Sequence, residues 1–335
     1  MNNYDGTPEI IRSFLTYHET IKGHSKMTVD EYYLDLRTFF RFLKTKRNLV
    51  PDGISFNEIS IGDIDLEFVK SVTLSDVYDF LSYLSREREV HYNSPDSDVG
   101  LSAASRARKV ATIRSFYKYL TLKAGVLETN PVLNLDSPKL KKNLPRYLTE
   151  DESIALLKAI DGNNKERDYC IITLFLNCGL RISELISLDL ADIRDDSLRV
   201  EFGKGGKVRI LYLNTACREA IDRWLDVRSQ IKGLSGDAKK ALFVTRQNTR
   251  ISRSAVHLLV KNSLLKAGLD PSKYSAHKLR HTAATLMRKN GVDVRTLQEV
   301  LGHDHLNTTQ IYTHVDNKDI RSATAMNPLS KIKPD

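Results

Sequence analysis

Cysteine is scarce in this chain. Its 335 residues hold three, Cys170, Cys178 and Cys217, an odd number with no C-x-x-C spacing. That excludes a disulfide framework and a cysteine-based zinc module, and it leaves reduced thiols as the simplest reading. Long apolar runs are missing as well: none approaches the ~18 residues that a membrane-crossing helix needs. The start, Met1-Asn2-Asn3-Tyr4-Asp5, lacks the basic segment and apolar stretch of a secretion signal. A soluble, cytoplasmic protein is expected. No internal repeat and no low-complexity tract interrupts the chain. Acidic residues are outnumbered, 42 against 51 Lys and Arg, for a formal net charge of +9 and a pI of about 9.3. Such a surplus fits a polyanionic partner. With 41% hydrophobic and 28% charged residues the composition is that of an ordinary globular protein, and the length suffices for two domains with separate cores.

Helical periodicity dominates. Residues 8–45 read as two helices parted at Gly23, with Thr28 and Glu31 as a capping box for the second. Further helices are expected at 74–88, capped by Thr73 or Ser75, and from Ser102 to about Lys123. The latter carries Arg106, Arg108, Lys109 and Arg114 opposite its apolar face, as candidate DNA contacts. The segments 46–72 and 90–101 are longer than helix connections usually are. Residues 125–147 contain Gly125, Pro131, Pro138 and Pro145 and the run Lys139-Leu140-Lys141-Lys142, which prevents a continuous helix and suits a solvated or DNA-tracking linker. The expected organisation is therefore a helical domain at 1–124, a linker at 125–147 and a second domain at 148–335. The second domain opens with Thr149 as N-cap before Glu150, Asp151 and Glu152. Helices near 149–160, 166–177 and 181–188 precede two alternating strands, 198–202 and 208–213, joined by a glycine-rich hairpin turn. Helices near 215–230, 253–267, 277–290, 294–301 and 307–313 complete it. The fold class is thus mainly α with a small antiparallel β-sheet in the second domain.

The chemistry lies in this second domain. Arg181 follows Gly179-Leu180 at a helix start, three residues before Glu184; taken singly it is an ordinary surface ion pair. Gly203-Lys204-Gly205-Gly206-Lys207 is no Walker A loop, because Glu201 and Val208 stand where Gly and Ser/Thr are required. It is a hairpin tip with two lysines, able to reach into a DNA groove and, beside a phosphate, to protonate a leaving alkoxide. His277 and His281 are spaced as half a zinc site, but a zincin needs Glu where Lys278 stands, and Arg280 on the same face favours an anion. No metal and no cofactor is expected. His303 in Leu301-Gly302-His303 and Tyr312 in Thr308-Thr309-Gln310-Ile311-Tyr312-Thr313-His314 close the series. Two arginines, several imidazoles and a lysine are what one phosphodiester needs around it if a tyrosine hydroxyl is to attack phosphorus.

In order and local context these residues resemble the tyrosine recombinases, the family of Xer proteins and phage integrases, and the likeness extends over nearly the whole chain. The Xer subfamily is the nearest in form, through Gly203-Lys204-Gly205 and the residues around Tyr312; the longer 46–72 and 90–101 segments depart from it. The resemblance implies a core-binding (SAM-like) domain and a catalytic domain that together clamp duplex DNA. It implies that Arg181, His277, Arg280 and His303 hold the scissile phosphate, that Lys204 is the general acid with Lys207 as its backup, and that Tyr312 is the nucleophile. Glu184 and His281 become supporting residues. It also implies a tetramer on two DNA sites, with a second recombinase or a DNA translocase as further partners. The apolar tail residues Met326, Leu329 and Ile332 are expected to dock on a neighbouring subunit. An integrase or transposase of a mobile element would use the same chemistry. A type IB topoisomerase would share it without synapsis, and an inactive DNA-binding regulator would have no need of Tyr312.

Overall fold

The computed structural model describes residues 4, 6–89, 99–139, 146–202, 207–302 and 326–332. Contacts divide the chain into two units, Met1–Asn143 and Leu144–Asp335.

The first unit is helical. α1 (Glu9–Thr16) runs into a π-helical turn, Tyr17–Ile21, and α2 (Lys26–Lys46) follows. Its N-cap is Ser25, whose side chain accepts from the Thr28 amide, so the helix starts one turn earlier than the Thr28–Glu31 box implies. Serine at Ncap does what threonine was expected to do, and Thr28 Oγ1 merely shares its hydroxyl at 2.9 Å. α3 (Leu66–Lys70) lies inside the long 46–72 segment. That segment is packed: Ile59, Ile61, Ile64, Val69 and Val72 are all buried. Lys44 holds it at Asp63 (2.8 Å), and Arg41 at the Ile59 carbonyl (2.8 Å). α4 (Leu74–Arg86) begins with a capping box between Thr73 and Asp76, and α5 (Ala103–Leu122) begins at Ser102 as the sequence indicates. Phe14, Phe39, Phe40, Phe80, Phe116 and Tyr117 fill the core between these helices. Leu127, Val132 and Leu135 belong to the same core, so the start of the proline-rich stretch is seated on the first unit.

The second unit is built around α7 (Lys165–Cys178), a helix buried over most of its circumference. α6 (Glu150–Lys158), with the expected Thr149–Glu152 capping box, precedes it. α8 (Ile182–Ser187) leads to a three-stranded antiparallel sheet of β1 (Ile193–Arg194), β2 (Ser197–Phe202) and β3 (Lys207–Tyr212), in that order. The helices α9 (Thr215–Ser229), α10 (Gly236–Lys240), α11 (Arg253–Lys266), α12 (Ala276–Lys289) and α13 (Val294–Leu301) follow. α7 packs against α9 and α12. Cys170, Cys178 and Cys217 are buried thiols, with the last two 3.7 Å apart at sulfur.

The tail corrects an expectation. Pro328–Lys331 forms a 3-10 turn on α6, α7 and α9 of its own unit. Asn327 Nδ2 donates to the Leu176 carbonyl at 2.9 Å, Leu329 is fully buried and Ile332 packs on the same core. An apolar side chain takes the nearest unfilled groove, and here that groove is in cis; Met326 alone of the three named residues is exposed. Among the described residues no helix is long and apolar enough to cross a membrane. The expected helix near 307–313 lies outside the described residues.

Candidate active site

α7 ends where Gly179 adopts a left-handed conformation (φ 59°). A β-carbon there would stand 2.7 Å from Leu301 Cδ2, so both backbone and space require glycine. The turn places Arg181 at the N-cap of α8. Glu184, in the first turn, accepts from the Arg181 backbone N–H at 2.8 Å and from its guanidinium Nη1 at 2.7 Å. A carboxylate in the first turn of a helix is favourably placed against the helix dipole. Glu184 itself is only 3% exposed.

Two further guanidiniums converge on that carboxylate. Arg209 reaches in from β3 with both arms of its fork, Nη1 at 3.0 Å from Oε1 and Nη2 at 2.8 Å from Oε2. Arg280, in the second turn of α12, stands with Nη1 3.7 Å from Oε2. One carboxylate answers one of three positive charges, which leaves the site ready for an anion.

The same three arginines cap α13. Arg209 Nε donates to the Val300 carbonyl at 3.0 Å, Arg280 Nη2 to Leu301 at 2.6 Å, and Arg181 Nη2 to Gly302 at 2.9 Å. The last carbonyls of a helix lack intrahelical partners and carry partial negative charge, so a row of cations satisfies them. Arg280 Nη1 also donates to the Gly179 carbonyl at 2.5 Å, tying the end of α7 to the end of α13. Gly302 is left-handed (φ 64°), and a β-carbon on it would approach Arg209 Nη1 to 2.9 Å. His303 follows directly in sequence. His303, Lys204 and Tyr312 lie outside the described residues, as do Lys141 and Lys142.

Charge states follow from this packing. Burial opposes ionisation of Glu184, but the Arg209 fork and charge, with the Arg181 amide and guanidinium, outweigh it and hold the carboxyl below its ordinary value. Burial, then the neighbouring Arg181 charge, lowers Arg280 to about 10, so it stays a cation at neutral pH. His277 is exposed in the first turn of α12, one turn before buried Arg280. His281 is half-buried, with its ring 6.3 Å from that of Tyr147. Burial, with the charges of Lys278 and His277, pushes its pKa down. Leu148 N–H donates to Thr282 Oγ1 at 3.0 Å, so the chain entering the second unit is fastened to α12. No group of three or more His, Cys, Asp or Glu among the described residues is placed to hold a metal ion.

The structure thus brings Arg181, Glu184 and Arg280 together and adds Arg209, which the sequence did not single out. The alternation in β3 marks two faces without saying which turns inward. Here Val208 and Ile210 face out, and Arg209 shares the inner face with buried Leu211. Lys207 pairs with Phe202 at the start of β3.

The candidate DNA contacts of α5 divide. Lys109 is buried, 2.7 Å from fully buried Asp35, and is a core ion pair rather than a surface cation. Arg108 is shared between Asp35 and Glu31, each at 2.7 Å, and Arg106 bonds Ser85 Oγ. A buried carboxylate demands such partners: Asp35 takes Lys109 into the core, while Arg108 bonds it and stays 45% exposed. Arg114 on α5 and Lys139 beyond it are exposed.

Comparison with known proteins gives a consistent picture. The phage integrase family matches residues 146–319, and the phage integrase N-terminal SAM-like domain matches residues 11–124. A tyrosine recombinase XerC of Caldanaerobacter subterraneus subsp. tengcongensis is 52% identical over 325 residues, covering 97% of this chain and 88% of its own. A tyrosine recombinase XerD of Staphylococcus epidermidis is 33% identical, covering 93% and 96%. Among solved structures, a XerH site-specific recombinase bound to palindromic difH in a post-cleavage complex is similar with a TM-score of 0.60 at 18% identity, covering 95% of this chain and 82% of that one. A lambda integrase tetramer bound to a Holliday junction has a TM-score of 0.60 at 18% identity, covering 90% and 80%. At those identities the likeness is one of fold.

Proposed function

We propose, since this chain belongs to the phage integrase family of tyrosine recombinases, that it is an Xer-type enzyme which resolves chromosome or plasmid dimers in the cytoplasm. The protein is a tyrosine recombinase, a DNA strand transferase. The scissile phosphate sits against Arg181 and Arg280, whose charges bind its non-bridging oxygens most strongly as negative charge builds up in the transition state. His277 and His303 complete its contacts. The Tyr312 oxygen attacks phosphorus and forms the phosphotyrosine on the 3′ side, while the bond to the 5′ oxygen breaks. Lys204 gives that oxygen its proton, with Lys207 as the substitute donor. The 5′-hydroxyl of a second strand then reverses the step. The phosphotyrosine conserves the phosphoester bond, so neither ATP nor a metal ion is consumed.

The observation that carries this reading is the single carboxylate of Glu184 with Arg181 and Arg280 gathered around it at the end of α13. Two fixed guanidiniums whose charge exceeds that of the one carboxylate beside them are an arrangement suited to a phosphate. Both units contact duplex DNA, with Arg114 and Lys139 on its backbone, and four protomers act on two sites. A second recombinase or a DNA translocase is the natural further partner. The test is a supercoiled plasmid carrying two copies of the sequence that the protein selects from its host chromosome. Incubation in EDTA without nucleotide should yield recombinant circles. Relaxed circles without recombinants would instead mark a topoisomerase, and intact plasmid with no covalent protein–DNA adduct a DNA-binding protein without activity.

A further inference from the structure

Arg209 is the site arginine for which phosphate binding provides no role. Its side chain is 8% exposed, as buried as that of Arg280 at 7%, but both arms of its fork are taken up by the Glu184 carboxylate. β3 turns this charge inward while its neighbours Val208 and Ile210 stay 44% and 39% exposed. A strand arranged that way loses apolar burial and desolvates a cation, so the interior must supply compensation. It does so twice, through the fork on Glu184 and through the Nε bond to the Val300 carbonyl. One side chain therefore ties three pieces together. The first is the β2–β3 hairpin, where Arg209 lies opposite Val200, with Lys204 at its tip in sequence. The second is the carboxylate that holds Arg181. The third is the end of α13, from which the chain continues to His303. The Arg181 guanidinium reaches Glu184 only at Oε1. The other oxygen, Oε2, accepts from the Arg181 backbone N–H, so both of these bonds come from Arg181 itself; Arg209 grips both oxygens from a separate strand and ties the plane of the carboxylate to β3.

We infer that Arg209 is a positioning residue for strand cleavage: it sets the plane of the Glu184 carboxylate, and thereby the guanidinium of Arg181 against the scissile phosphate, while fixing the hairpin to the end of α13. The inference rests on the phosphoryl-transfer reading above. Arg209 acts through Glu184 and touches no DNA, so its loss should fall on the rate of cleavage and spare site affinity.

Two variants of the full chain test this. Arg209→Lys keeps the buried charge beside Glu184 but loses the fork and the Val300 contact; Arg209→Gln loses the charge as well. Each is assayed for single-turnover formation of the covalent adduct on nicked DNA, for one-site binding by gel shift, and for melting temperature. The cleavage assay is repeated on DNA whose scissile phosphate is a methylphosphonate. That group carries one negative charge fewer and leans less on Arg181. Arg209→Lys should slow cleavage of the phosphodiester roughly ten- to a hundredfold, the usual scale for a residue that orients a functional group, with unchanged binding and a visibly smaller deficit on the methylphosphonate. A wild-type rate for Arg209→Lys, or an equal deficit on both substrates, would overturn the inference and leave Arg209 a purely structural ion. If Arg209→Gln does not fold, Arg209→Lys decides alone. Failure of the wild-type protein to form any adduct would overturn the parent reading, and this inference with it.

Discussion

Glu184 is the residue on which the site turns. It is buried, ionised and shared, and its partners come from α8, β3 and α12. The pair Arg181 and Glu184 is legible in the sequence because residues three apart at a helix start lie side by side. So is His277 with Arg280, one turn apart. Arg209 was illegible because its partner is 25 residues away and a strand's alternation hides its inner face. Lys109 misled for a related reason: its buried counter-charge, Asp35, is 74 residues distant. At this scale Arg181→Ala and Arg280→Ala should each slow covalent cleavage by at least about a hundredfold to a thousandfold, the cost of removing one donor from the developing charge. The rate of adduct formation on nicked DNA measures it. Near-normal rates in both variants would mean that the phosphate sits elsewhere.

Elements follow local chemistry where caps are strong. Thr73, Ser102 and Thr149 start their helices as the sequence indicates, each by accepting from an amide three residues on. The 46–72 segment resisted reading because its order comes from partners outside it. Asp76 is the latch at its base: it accepts from Lys46 at 2.7 Å and from Arg47 at 3.2 Å, at the end of α2, while closing the cap of α4. Burial resists its ionisation, yet the Lys46 bond, the Thr73 bonds and the Lys46 charge hold its pKa at about 2. The folded value lies below the unfolded one, ~3.9. Ionised Asp76 therefore stabilises fully above pH ~4 and loses that contribution as pH falls through about 2. Asp76→Asn should cost the first unit about 2 kcal/mol at neutral pH and flatten its acid unfolding between those values. Calorimetry of the full chain against pH is the check, and an unchanged profile would show that the latch bears no load.

Across the whole molecule, two separate cores were legible from length and periodicity, and contacts divide the chain after Asn143, within the proline-rich stretch. Where the cores end was not legible. Leu127, Val132 and Leu135 extend the first core into the proline-rich stretch, and Leu329 returns the tail to the second core. Sparse apolar residues in irregular chain have no period to announce their seat. Leu329 and Ile332 pack on the core of the second unit of the same chain. The chemistry demands more of the molecule than a core: a nucleophile delivered to the arginines that Glu184 assembles. The most direct measurement is covalent capture on nicked suicide DNA carrying the selected site. The wild-type protein should become attached through Tyr312, identified by mapping the DNA-linked peptide, and Tyr312→Phe should bind the same site and never attach. An adduct that persists in Tyr312→Phe, or a wild-type protein that binds its site without ever attaching, would contradict the account.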